Sequence, residues 1–149
     1  MEIFSEKDLK LVNDNIDEMM NEIEKKKKKV MEPTIDEMME IEKIILKFVK
    51  KKKRKVYGGY ALNEAIILKN PEDKIYDKEI DAPDIDFYSP EPIKDLHELS
   101  NILHDKGYKR VQGKEAMHIE TYSIFVNLHN YVDITYMPNK IYHNIPFIV

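Results

Sequence analysis

The 149-residue sequence predicts an α+β fold: a small mixed β-sheet with helices packed on it, preceded by two N-terminal amphipathic helices. Three observations carry this prediction. Up to residue 53 apolar residues recur at helical spacing. From residue 54 onward, short alternating runs interleave with helical ones. Two of the short runs hold acids among apolar neighbours: Asp84-Ile85-Asp86-Phe87-Tyr88 and Tyr131-Val132-Asp133-Ile134-Thr135.

Each element has its own signal. Ser5 with Asp8 forms a capping-box pattern, and Leu9, Val12, Ile16, Met19 and Ile23 continue a helical stripe. Lys25 to Lys29 closes that helix with positive charge, where the macrodipole favours it. Pro33 breaks the chain. Thr34 and Glu37 open a second capped helix carrying Ile35, Met38, Ile41, Ile45 and Phe48, which ends in the basic run Lys50 to Lys55. Lys55-Val56-Tyr57 then reads as a strand, Gly58-Gly59 as a turn and Tyr60 to Ile67 as a helix. Residues 69–83 form a polar loop. After the Asp84–Tyr88 strand, Pro90 and Pro92 introduce a helix over about Ile93 to Lys106, with Leu96, Leu99, Ile102 and Leu103 on one face. Gly107 ends it. Tyr108–Val111 and Ile119–Val126 read as strands, and His129-Asn130 as the tight turn into the strand of Asp133.

Residues two apart on a strand share a face, so Asp84 and Asp86 stand side by side. If the two acidic strands are neighbours, Asp133 joins them. Three converging carboxylates repel one another unless a cation lies between them, and hard divalent ions take oxygen ligands. A strand, a glycine pair and a helix N-terminus bring backbone N–H groups within reach of a phosphate. One such acid alone would mean little, since acids at strand ends often form turns. The trio together with the glycine pair points to nucleotidyl transfer assisted by two metal ions.

Composition narrows the classes. A net charge of −4 gives no global attraction to nucleic acid, so any such contact needs a local patch. The chain has no cysteine, which excludes a disulfide framework and thiol chemistry and suits a reducing compartment. No apolar run is long enough to span a bilayer, and the N-terminus is not a signal peptide. The Lys50–Lys55 run reads first as a solvated helix end, and second as a contact for RNA phosphates or a nuclear address. Met19, Met20, Met38 and Met39 read as core or helix–helix packing. His97, His104, His129 and His143 show no metal spacing.

The Gly-Gly turn, the Asp-x-Asp strand and the later third Asp resemble the nucleotidyltransferase superfamily of DNA polymerase β-like enzymes. The runs VYGGYALNEAI, DIDFYSPEPIKDLHELSNILHDKGYKRV, AMHIET and YVDITYMPNKIYHNIP look like the poly(A) polymerase catalytic subunits of large cytoplasmic DNA viruses, over about residues 54 to 147. The helical text marks residues 1–53 as an N-terminal helical segment. The resemblance implies a nucleotidyltransferase-type, palm-like catalytic domain at 54–149, truncated at its C-terminus relative to that family. It implies template-independent addition of AMP from ATP to an RNA 3′ end, in the cytoplasm, at a viral factory or in a virion. Asp84, Asp86 and Asp133 would be catalytic acids and ligands of two Mg2+ ions, with Mn2+ as a substitute. Gly58, Gly59 and Tyr60 would hold the nucleotide phosphates. Partners would be ATP, RNA and either a second copy or a full-length or processivity subunit. Two alternatives stand beside this reading: a non-catalytic assembly module with a relic site, and a small stand-alone nucleotidyltransferase acting on another substrate. Three features depart from the family pattern. Tyr60 follows Gly59 where a serine is common, so the turn brings no hydroxyl to the phosphate. The interval from Gly59 to Asp84 is long, and the chain is short.

Overall fold

Ser5 and Asp8 cap the first helix, α1 (Glu6–Met31), in both directions: the Asp8 N–H donates to Ser5 Oγ at 3.3 Å, and the Ser5 N–H donates to Asp8 Oδ2 at 2.9 Å. A computed structural model describes residues 5–77 and 83–146. The 78–82 part of the expected loop, and the chain end at 147–149, lie outside the described residues. Contacts divide the chain into two units, the first ending at Glu32 and the second beginning at Pro33. In the first unit the apolar stripe of α1 is present but not buried. Leu9, Val12, Ile16, Met19 and Ile23 are each 46–56% exposed, so the packing expected of Met19 and of Met20, 52% exposed, is not found.

The second unit is built on a five-stranded sheet. Its helices are α2 (Ile35–Lys52), α3 (Gly58–Lys69), α4 (Pro92–Asp105) and the short α5 (Asn139–Tyr142). Its strands are β1 (Lys55–Tyr57), β2 (Ile85–Ser89), β3 (Val111–Glu115), β4 (Thr121–Val126) and β5 (His129–Tyr136), in the order β1-β2-β5-β4-β3. Only β2 and β5 are parallel neighbours; the other pairs are antiparallel. Thr34 caps α2 by accepting the Glu37 N–H at 3.2 Å. Most of the stripe predicted for α2 packs on the sheet: Ile41, Ile45 and Phe48 are buried, with Val49 beside them and Met38 at the margin, while Ile35 at the helix start is exposed. From α4, Leu99 and Leu103 are fully buried, with Leu96 and Ile102 at the margin of the core. The sheet contributes Ile85, Phe87, Ile124, Val126, Val132 and Ile134. Each buried side chain of this size stabilises the fold by about 1.5–3 kcal/mol before entropy is counted. The change of sequence character at 53/54 therefore falls inside one packed unit.

Gly107 ends α4 with φ +97°, as predicted. Several boundaries differ from expectation: β2 begins at Ile85, one residue after Asp84, and Gly58-Gly59 form the first residues of α3 rather than a turn before it. β3 is Val111–Glu115, whose Gln-Gly-Lys-Glu text has no apolar alternation; its pairing with β4 makes it a strand. Ile119 and Glu120 belong to the β3–β4 turn rather than to β4, and Ile119 is 89% exposed. The β4–β5 turn is Asn127-Leu128, with φ values of 50° and 70°, and not His129-Asn130, which is already paired in β5. Left-handed backbone at leucine is rare, so the sequence does not advertise that turn.

Candidate metal centre

The sheet register assembles the acids. Asp86 and Asp133 are direct partners across the parallel β2–β5 pair. Tyr57 stands opposite Asp86, and Ser123 opposite Asp133, so one row of side chains crosses four strands. Asp84 stands one residue ahead of β2 rather than within it, and its carboxylate still reaches the other two. The structure thus brings all three predicted acids together: each offers one oxygen, and these lie within 4.8 Å of one another.

The cluster carries more negative charge than its surroundings neutralise. Burial raises the Asp86 carboxyl to about 6, with Asp84 and Asp133 adding to the shift. Burial, then the charge of Asp133, raises Asp84 as well. Burial also raises the Tyr57 hydroxyl, although its contact with Thr135 Oγ1 at 2.8 Å works the other way. No lysine or arginine forms an ion pair with the trio among the described residues. The donors found are neutral. Ser123 Oγ donates to Asp133 Oδ1 at 2.6 Å, and Asn130 Nδ2 donates to Asp133 Oδ1 at 3.1 Å and to Asp84 Oδ2 at 3.4 Å. An all-oxygen donor set, partly desolvated and short of positive charge, fits a hard divalent cation.

The glycine pair abuts this cluster. Gly58 opens α3 with φ +73°, and a Cβ there would collide with Asp86 Oδ2. A Cβ on Gly59 would lie 2.7 Å from the Tyr76 hydroxyl. Asn63, 1% exposed, holds the Tyr76 segment down: its Oδ1 accepts the N–H groups of Ile75 and Tyr76 at 2.8 and 3.0 Å. The Tyr60 side chain turns elsewhere; it is buried, and its hydroxyl donates to Glu42 Oε1 at 2.8 Å. Of the three phosphate-site candidates, Gly58 and Gly59 therefore adjoin the acids, whereas Tyr60 can offer a phosphate only its backbone N–H. The basic run divides too: Arg54 is buried against Asp95, Lys52 bonds Glu98, and Lys50, Lys51 and Lys53 are exposed.

Residues 43–149 match the family model of the poly(A) polymerase catalytic subunit. The chain belongs to that family. It is 47% identical over 142 residues to a poly(A) polymerase catalytic subunit of Acanthamoeba polyphaga mimivirus, covering 95% of this chain and 24% of that protein. The corresponding protein of African swine fever virus (strain Badajoz 1971 Vero-adapted) is 37% identical over 103 residues, 69% of this chain and 21% of that one. The crystal structure of the Megavirus polyadenylate synthase matches with a TM-score of 0.75 and 52% identity, over 100% of this chain and 30% of that one. The chain spans about a quarter of the length of the curated relatives it matches.

Sequence reading of this poly(A) polymerase family member missed Ser123, Asn130 and Tyr76. Ser123 leaves a faint trace, as a polar residue inside the run Thr121-Tyr122-Ser123-Ile124-Phe125-Val126. Asn130 leaves none, because strict alternation puts it on the opposite face from Asp133. Tyr76 lies in a polar loop with no periodicity to read.

Proposed function

We propose that the chain carries the metal and triphosphate contacts of a template-independent adenylyl transfer, in which an RNA 3′-hydroxyl attacks the α-phosphate of ATP and pyrophosphate leaves. One observation carries the proposal: Asp86 and Asp133 on neighbouring parallel strands and Asp84 just ahead of β2 converge within 4.8 Å, directly beside Gly58 at the start of α3. Asp84 and Asp86 would hold two Mg2+ ions, or Mn2+ in their place, and Asp133 one of them. Bound there, the ions would lower the hydroxyl pKa and neutralise charge on the leaving group. The protein's own part is to hold the acids in register. Burial opposes ionisation at Asp86, so proton and cation compete for its carboxylate. The bare backbone at Gly58 and Gly59 and the α3 N-terminus would orient the triphosphate. In this reading residues 54–149 form the catalytic domain, and the exposed Lys50, Lys51 and Lys53 would meet RNA backbone.

The test is incubation of the chain with labelled ATP, oligoadenylate RNA and Mg2+ or Mn2+, beside a titration of Mn2+ alone. Wild type should bind Mn2+ saturably and extend the RNA, and Asp86→Asn should lose both. An Asp86→Asn chain that binds Mn2+ as wild type does would overturn the assignment.

A further inference from the structure

A β-bulge decides which side chains reach the acids. Ser123 pairs with Asp133 and Ile124 with Val132, but Phe125 pairs with Asn130, so β5 carries one residue more than β4 between these pairs. That extra residue shows in the burial: Tyr131 and Val132 are consecutive, yet both belong to the hydrophobic core. In an unbroken strand residues 130 and 133 would lie on opposite faces. With the bulge they share one, and only so can the Asn130 amide touch Asp133 at 3.1 Å and Asp84 at 3.4 Å.

The donors load Asp133 unevenly. Ser123, 4% exposed, and Asn130 both donate to Oδ1. Oδ2 receives no hydrogen bond among the described residues. The amide's own Oδ1 is buried without a hydrogen-bond partner, so the two carboxylates alone hold it in place. Turning it over would set its carbonyl against both acids.

We infer that Asn130 and Ser123 are positioning residues for the cation: they fix Asp133 to offer a single oxygen, Oδ2, and Asn130 ties Asp84 to Asp133 against their mutual repulsion before an ion arrives. A neutral amide is suited to this. A lysine would offset the repulsion more strongly, but it would then compete with the incoming ion. The bulge is the device that delivers the amide, in keeping with the frequency of bulges beside active sites, where they re-aim a side chain. The inference rests on the metal-site reading above.

The test is Mn2+ binding followed by electron paramagnetic resonance, with no nucleotide present and with metal-free melting recorded for each variant. Asn130→Ala and Ser123→Ala should each weaken Mn2+ binding about 10-fold or more, the range for lost outer-shell partners. Ser123→Thr keeps the hydroxyl and should bind within about 3-fold of wild type, short of that range. Asp86→Asn should not bind. If Asn130→Ala and Ser123→Ala bind as wild type does while Asp86→Asn fails, the positioning role is wrong and the metal site stands. Tighter binding by Asn130→Ala would show that the amide competes with the ion, and would also overturn the role. If Asp86→Asn binds normally, the metal reading itself is what fails. Should Ser123→Ala not fold, Asn130→Ala, altered at a half-buried strand position, decides alone.

Discussion

Two acid clusters lie at opposite ends of β2, and they differ in one respect. Beyond its C-terminal end Asp95 is fully buried and fully answered: Arg54 Nε donates to its Oδ2 at 2.6 Å, Arg54 Nη2 to its Oδ1 at 2.8 Å, and Ser89 Oγ to its Oδ2 at 2.6 Å. Burial is the largest single influence and disfavours the guanidinium charge, but the hydrogen bonds and charges of Asp95 and Tyr142 together more than offset it. Tyr142 closes the cluster, its hydroxyl donating to the Lys53 carbonyl at 2.6 Å. These contacts join the end of α2, the end of β2 and the start of α4. At the other end, Asp84 and Asp133 have neutral donors, Asp86 has none among the described residues, and only His129, near Asp84, offers any opposing charge. On the proposed reading, a chain that matches a buried acid with arginine in one place and leaves three acids unmatched in another keeps the second place for a charge it does not itself supply.

The largest expected effect breaks the contrast at the unmatched end. Asp86→Asn should reduce ATP-dependent RNA extension to background. The same variant, free of metal, should melt no lower than wild type at neutral pH, because it removes a repelled charge. At the matched end the outcome reverses. Asp95→Ala leaves the Arg54 guanidinium buried without its bidentate partner and should cost about 3–5 kcal/mol in denaturant unfolding. Replacing both, Arg54→Met with Asp95→Leu, should cost less than Asp95→Ala alone, because no buried charge is stranded. A double variant as unstable as the single one would mean that geometry, and not charge pairing, sets the value of this cluster.

Next in size is the pH dependence, with opposite signs for the two forms of the acid site. The Asp86 carboxyl is raised from an ordinary 3.8 to about 6 in the folded chain. The folded state therefore holds the proton more tightly than the unfolded one. The stability this contributes is complete below about pH 4 and is lost as pH rises through about 6. Asp84, shifted the same way, adds to the trend. The metal-free chain should consequently melt higher at pH 5 than at pH 7.5, and Asp86→Asn should flatten that difference. Mn2+ affinity should run the other way, falling as pH drops below about 6, because the proton and the ion compete for one carboxylate. Wild-type melting that rises steadily from pH 5 to 7.5 would show that the acids are neutralised by something other than protons.

The same contrast explains what could be read from the sequence. Asp84, Asp86, Asp133 and the glycine pair were legible because local rules govern them: strand alternation, and the freedom of glycine beside a helix start. The helix ending at Gly107 was legible for the same reason. The Arg54–Asp95 pair was not, since 41 residues separate the partners and Arg54 sits inside a lysine run that reads as solvated. Asn130 was hidden by the bulge, which reverses face parity at one point and leaves the residue types unchanged. β3 was hidden because an edge strand owes its form to its neighbour β4. In the exposed α1 stripe, local rules gave the helix, and nothing local could say whether its apolar face is covered.

The smallest effects separate the two glycines, which look equivalent in the sequence. Gly58→Ala must adopt left-handed backbone, at a cost of about 1–2 kcal/mol. Its methyl group must also displace the Asp86 carboxylate, so Mn2+ binding should weaken along with stability. At Gly59 the neighbour is the Tyr76 hydroxyl, the far end of a side chain that can swing away. There the clash is set against the helix preference of alanine over glycine, roughly 0.5–1 kcal/mol, so unfolding should change little. Comparing the two in the same Mn2+ titration locates the boundary of the acid site. If Gly59→Ala weakens Mn2+ binding as much as Gly58→Ala does, the Tyr76 segment belongs to the metal centre. If it does not, that segment only braces α3 through Asn63, and the contact with the acids ends at Gly58.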